Sequence, residues 1–133
     1  MKKKIFILGA ILVMILPKAL GQVISVGQVV YTGVTIANGA TASAVVTTKG
    51  MQLVGCQMPP AFTGTSISFV AATTLTAAYQ PMHNTSGLLS YSVAANRYVN
   101  ISPTEFAGVQ FFKIVSGSTE GAARLLICSM KGM

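Results

Sequence analysis

The stretch MQLVGCQMPPAFTGTSISFVA, residues 51–71, decides the class of fold. Residues 51–56 form a short apolar run without helical spacing. It stops at Met58-Pro59-Pro60, where two prolines lack the N–H that a sheet ladder requires. Residues 66–71 then alternate, with Ile67, Phe69 and Ala71 set against Ser66, Ser68 and Val70. A period of two is the signature of a half-buried strand, because successive side chains leave a strand on opposite faces.

The same rhythm extends in both directions. Residues 24–37 read as one or two strands closed by Asn38-Gly39, a pair suited to tight turns. Residues 43–47 follow, then a Lys49-Gly50 turn. Downstream, the pattern predicts a strand over 76–82, a loop over 83–87, and strands over 88–94, 97–101, 109–115 and 123–129. One helical turn is expected after Ser102, with Pro103 at its first position and Glu105 as capping-box partner. No stretch between the strands has the length or periodicity of a crossover helix. The expected fold is therefore all-β: an antiparallel β-sandwich, jelly-roll-like, as a single domain over residues 22–133. The predicted core comprises Leu53, Ile67, Phe69, Tyr91, Val93, Val99, Ile101, Phe111, Ile114 and Ile127.

Composition narrows the chemistry. Of 133 residues, 52% are hydrophobic and 8% charged, which excludes a disordered chain. Glu105 and Glu120 are the only acids and His83 the only histidine. A carboxylate cage for a hard cation needs more oxygen ligands than two acids supply. The net charge of +7 is concentrated at the N-terminus, where Lys2, Lys3, Lys4 and Lys18 lie within the first 21 residues. The other five basic residues, against two acids, leave +3 on residues 22–133. Lys49, Arg97, Lys113, Arg124 and Lys131 are scattered, without the clustering of a nucleic-acid surface, so no nucleic-acid partner is expected.

Residues 1–21, MKKKIFILGAILVMILPKALG, have the layout of a signal peptide: a basic end, an apolar core over residues 5–16, a proline and small residues. Twelve apolar residues make about 18 Å of helix, short of a hydrocarbon core of about 30 Å. The segment reads as a signal peptide or as a membrane anchor, with membrane contact through a short helix in residues 5–16. A buried helix or arm is the third possibility.

Few residues offer chemistry. Cys56 and Cys128 stand 72 positions apart on two predicted strands; they are either a disulfide in an oxidising compartment or a pair of buried thiols. Without a CxxC spacing, zinc and dithiol redox sites are not indicated. His83 lacks a recognisable nucleophile and acid, so it reads as a loop histidine rather than a catalytic base. Asn84-Thr85-Ser86 and Asn100-Ile101-Ser102 match the glycosylation pattern, which has meaning only in a eukaryotic secretory pathway. Tyr79, Tyr91, Tyr98, Phe106, Phe111 and Phe112 have the residue types of a carbohydrate platform, yet strand spacing and the lack of tryptophan favour core packing. No catalytic, cofactor or metal residues are assigned.

Residues 53–117 carry a more specific pattern. Leu53-Val54-Gly55 precedes a turn from Pro60 to Thr65, then Ile67 to Phe69, Tyr79 to Met82, Tyr91 to Val93 and Arg97 to Val99. Pro103 to Gly108 and Phe111 to Gly117 complete it. In this order, the chain resembles a family of small tailed-phage virion proteins encoded among head genes. The resemblance covers about half the chain. It implies a β-sandwich subunit of a virus particle, without catalysis, and carries no functional residue across. The chain departs from that family at its N-terminus, since tailed-phage capsid proteins assemble in the cytoplasm. A membrane-containing particle reconciles the two features.

Two functions are thereby expected as alternatives. One is a structural virion protein (minor capsid, decoration or spike-base subunit) whose partners are its own copies or a major capsid protein. The other is a secreted or periplasmic β-sandwich that acts as a binding or adhesion module after cleavage of residues 1–21. The scarcity of charge on residues 22–133 favours contacts between subunits, because few charges must be desolvated.

Overall fold

The computed structural model describes residues 28–132. The expected helix in residues 5–16, the segment 1–21 and the start of the strand expected over 24–37 lie outside the described residues. Among the described residues there are eleven strands: β1 Val29–Ile36, β2 Val46–Thr47, β3 Met51–Gln57, β4 Ser66–Ala72, β5 Gln80–Pro81, β6 His83–Asn84, β7 Gly87–Leu88, β8 Ser90–Ser92, β9 Tyr98–Asn100, β10 Phe111–Ser116 and β11 Arg124–Gly132. A 3-10 turn, Pro103–Phe106, is the only helical element among the described residues.

The described chain is all-β, and its strand pairs are antiparallel. One sheet runs β1-β11-β3-β9. The other runs β2-β10-β4-β5, with β8 also on β4, and β6-β7 is a separate small hairpin. Both large sheets contribute to one buried cluster: Val34, Leu53, Cys56, Leu126, Cys128 and Met130 from the first, Ile67, Phe69, Phe112 and Ile114 from the second. Phe106 of the 3-10 turn seals it, with its ring edge-on to Phe69 at 5.0 Å and to Phe112 at 5.1 Å. Edge-to-face pairing at these separations lets the positive rim of one ring meet the negative face of another.

The turns obey local chemistry. Gly39 has φ 78°, and Lys49-Gly50 takes φ 52° and 80° between β2 and β3, so glycine stands where left-handed backbone is needed. Proline keeps its expected place at the first position of the 3-10 turn. The capping box does not form. Ser102 makes no side-chain cap; its hydroxyl lies 3.0 Å from Thr104 Oγ1, and Glu105 instead lies 3.5 Å from Asn84 Nδ2.

Several expectations require correction. The strand expected over 76–82 shrinks to Gln80–Pro81, because residues 73–77 fold into turns, including Ala77 N–H to the Thr74 carbonyl. The loop expected over 83–87 is mostly hairpin, with His83 paired to Leu88 and Asn84 to Gly87. In the core, Phe112 replaces Phe111, whose parity is opposite to that of Ile114. Ile127 points outward, 36% exposed, while Leu126 and Cys128 are fully buried. Tyr91 and Val99 are partly buried against the core; Leu53, Ile67, Phe69, Val93, Ile101 and Ile114 are in it.

The parity of β3 has a specific cause. Ser129 pairs with Gly55 and Met130 with Leu53, leaving Val54 as the extra residue of a β-bulge. The bulge lets Leu53 and Cys56, three positions apart, face the same core.

Candidate functional site

Glu120 is the most elaborately bonded side chain in the described protein. It is fully buried, in the loop between β10 and β11. Its Oε1 accepts from the Thr63 N–H at 3.1 Å and from Arg124 Nε at 3.0 Å. Its Oε2 accepts from Thr63 Oγ1 and Ser116 Oγ, both at 2.9 Å, and from the Gly64 N–H at 3.2 Å. The backbone joins in: Glu120 N–H donates to the Ala40 carbonyl and Gly39 N–H to the Glu120 carbonyl. Gly64 cannot carry a side chain there, since a Cβ would collide with Ser116 Oγ.

Burial, the largest single influence, works against ionisation of Glu120. The donors Thr63 N–H, Ser116, Arg124 and Thr63 hydroxyl together outweigh it and hold the carboxyl below its ordinary range. The carboxylate, as an anion, thus ties the β3–β4 loop to the β10–β11 loop, and the Glu120 backbone adds the turn at Gly39 and Ala40. With its oxygens saturated by donors, it is not available as a proton acceptor at neutral pH. Nothing in the sequence marked Glu120 for this role, because its donors come from positions 63, 64 and 116 as well as from Arg124.

The other candidates are dispersed. His83 is exposed, its Nδ1 3.2 Å from the Pro81 carbonyl oxygen. Glu105 is half-buried at Asn84. Asn84 Oδ1 accepts from the Ser86 N–H at 2.8 Å, and Asn100 is exposed on β9. Among the described residues, no group of three or more His, Cys, Asp or Glu is placed to hold a metal. Lys113 lies 4.7 Å from the centre of the Tyr79 ring, a cation–π contact. A groove of about 550 Å³ is lined by Ala71, Ala72, Ala78 and Val109 with Gln80 and Gln110, and offers hydrogen bonds but no titratable group.

Cys56 and Cys128 stand directly opposite each other on β3 and β11, with Cα atoms 4.0 Å apart, and form a disulfide. The bond crosses two neighbouring strands of one sheet and faces the core.

The outer face of that sheet is the distinctive surface. Rows across it read Tyr98, Gln57, Ile127, Gly33 and then Asn100, Gly55, Ser129, Tyr31. Tyr31 is 71% exposed, Leu125 53% and Tyr98 51%. Lys131 is the one charged side chain directed outward along β11, since Arg124 is engaged by Glu120. In the sequence Tyr31 is one residue of the strand expected over 24–37, with no motif to single it out. Parity against the buried Val34 and Ile36 is the signal that would have placed it outside.

No protein-family model, curated protein or solved structure matches the chain.

Proposed function

We propose that this protein is a structural subunit of a virus particle, a minor capsid, decoration or spike-base component that acts by protein–protein assembly. The observation that carries the assembly part is the outer face of the β1-β11-β3-β9 sheet, where Tyr31, Leu125, Ile127 and Tyr98 are exposed around a nearly charge-free centre. Single exposed apolar residues are ordinary, but a grouped set on one sheet face marks an interaction surface. The particle context rests on the resemblance of residues 53–117 to phage virion proteins. The two-sheet arrangement supports reading the described residues as a jelly-roll-like sandwich; membrane contact through residues 5–16 belongs to the proposal on the sequence of that segment alone. Glu120, committed to its loops, supports a structural rather than catalytic part for the one buried acid.

The test is density-gradient purification of particles from the source, with quantitative mass spectrometry for peptides of residues 28–132. Co-banding with the nucleic-acid-containing fraction at constant stoichiometry is expected. Recovery only from medium or periplasm overturns the reading.

A second reading, the exported binding or adhesion module, is favoured by the Cys56–Cys128 disulfide, since such bonds persist in oxidising compartments. Virion surfaces belong to the same class of environment, so the disulfide is compatible with both.

A further inference from the structure

The strand β1 is at an edge of its sheet, paired on one side with β11 over its whole length. The hydrogen-bond parity of that pair can be read from two contacts. Gly132 N–H donates to the Gln28 carbonyl, so the even-numbered residues of β1 are those bonded to β11. The Thr35 carbonyl accepts from the Ala44 N–H on the other side, so the odd-numbered residues direct their backbone groups away from β11. Ser43 bridges to Ile36, and Ala44 occupies Thr35, which closes the edge at that end. Toward Val29 the chain diverges, leaving a groove of about 400 Å³ between residues 32–35 and residues 44–47 with Lys49.

Among the described residues, what remains open along the edge is the backbone N–H and C=O of Val29, Tyr31 and Gly33. These three are spaced symmetrically about Tyr31. We propose that β1 pairs edge to edge with β1 of a second copy of this chain, in the antiparallel register centred on Tyr31. Val29 then faces Gly33 of the second copy, Tyr31 faces Tyr31, and Gly33 faces Val29. Each facing pair exchanges two hydrogen bonds, which satisfies every open group of the three residues. A register shifted by one pair in either direction leaves one of these residues unmatched on each copy, and the shift toward Thr35 also drives the second strand against Ala44.

Charge selects the same occupant. Residues 29–36 contain no charged side chain and no proline, the usual protections of a natural edge. The nearest cations are off the strand, Lys49 across the groove and Lys131 opposite Val29 on β11. An identical copy brings an identical neutral strip to the line of pairing. The two four-stranded sheets become one continuous sheet, and Tyr31, highly exposed in one chain, packs against its symmetry mate. The inference deepens the assembly reading and rests on it in one respect, that the chain's partner is protein.

The experiment is site-directed cross-linking in the purified full chain. Facing residues of a hydrogen-bonded antiparallel pair have Cα atoms about 5.5 Å apart, within disulfide range. Tyr31→Cys is expected to give a covalent dimer on mild oxidation. Val29→Cys alone is expected to give little, and Val29→Cys mixed with Gly33→Cys is expected to give a heterodimer. Tyr31→Lys places two ammonium groups across the axis and is expected to weaken self-association at least tenfold in sedimentation, with partial recovery at high salt. If Tyr31→Cys stays uncross-linked while the unmodified chain sediments as an oligomer, β1 pairing is overturned and the assembly reading stands on another surface. If Tyr31→Lys associates as tightly as the unmodified chain, the pairing is likewise overturned. A chain that is monomeric at every concentration overturns the pairing outright, while particle co-banding judges the virion reading separately.

Discussion

Tyr98 lies flat across Gly55 and donates its hydroxyl hydrogen bond to Ser129 Oγ at 3.0 Å, so one side chain spans from β9 over β3 to β11. The crossing is possible because Gly55 has no side chain: a Cβ there would stand 2.7 Å from Tyr98 Cε1. Aromatic cover of a strand glycine replaces the packing that the glycine itself cannot supply. The pair sits beside the bulge at Val54, where the ladder is interrupted.

Gly55→Ala is therefore expected to expel the Tyr98 ring and destabilise the protein by about 1–3 kcal/mol, as overpacking does. Tyr98→Ala in the same chain removes the clash. The double variant should lose less than the sum of the single losses in urea unfolding, with a coupling of at least about 0.5 kcal/mol.

Glu120→Gln replaces an anion held by five donor contacts with an amide whose NH2 opposes some of them. The expected loss is about 2–4 kcal/mol, measured by denaturant midpoint. Because the folded-state carboxyl ionises below its unfolded value, its stabilisation is complete above the ordinary glutamate pKa of about 4.3. It is lost as pH falls from there through the lowered folded value. The unmodified protein should lose stability across that acid window, and the Glu120→Gln variant should show a flatter profile.

The Cys56–Cys128 bond closes a loop of 72 residues in sequence. The chain-entropy relation assigns such a loop about 4 kcal/mol. Unfolding with and without reductant, or of the Cys56→Ala/Cys128→Ala variant, should show a loss of that order. An unchanged midpoint on verified reduction counts against it.

Phe69 and Ile127 test the face assignments. Phe69 is fully buried and touches the rings of Phe106, Phe112 and Tyr91, so Phe69→Ala should cost about 3–5 kcal/mol. Ile127 is on the outer face, and Ile127→Ala should cost less than about 1 kcal/mol in a dissociated chain. Equal losses at both positions would place Ile127 in a buried contact.

The sequence by itself determined the all-β class, most strand positions, the turns at Asn38-Gly39 and Lys49-Gly50, and the 3-10 turn begun by Pro103. These depend on chemistry local to the chain: a period of two, the lack of an N–H in proline, and the tolerance of glycine for left-handed backbone. The tertiary structure alone decided which face of β11 is buried. Leu125, Leu126 and Ile127 are equally apolar, and only the register with the neighbouring strands, Leu126 opposite Val34 and Cys128 opposite Cys56, sets Leu126 and Cys128 inward. It also decided the role of Glu120, because the carboxylate becomes an anion site only when residues 63, 64, 116 and 124 converge on it. The open edge of β1 belongs to the same class of fact. Which backbone groups are left unpaired follows from register, and register is a relation between strands far apart in the chain.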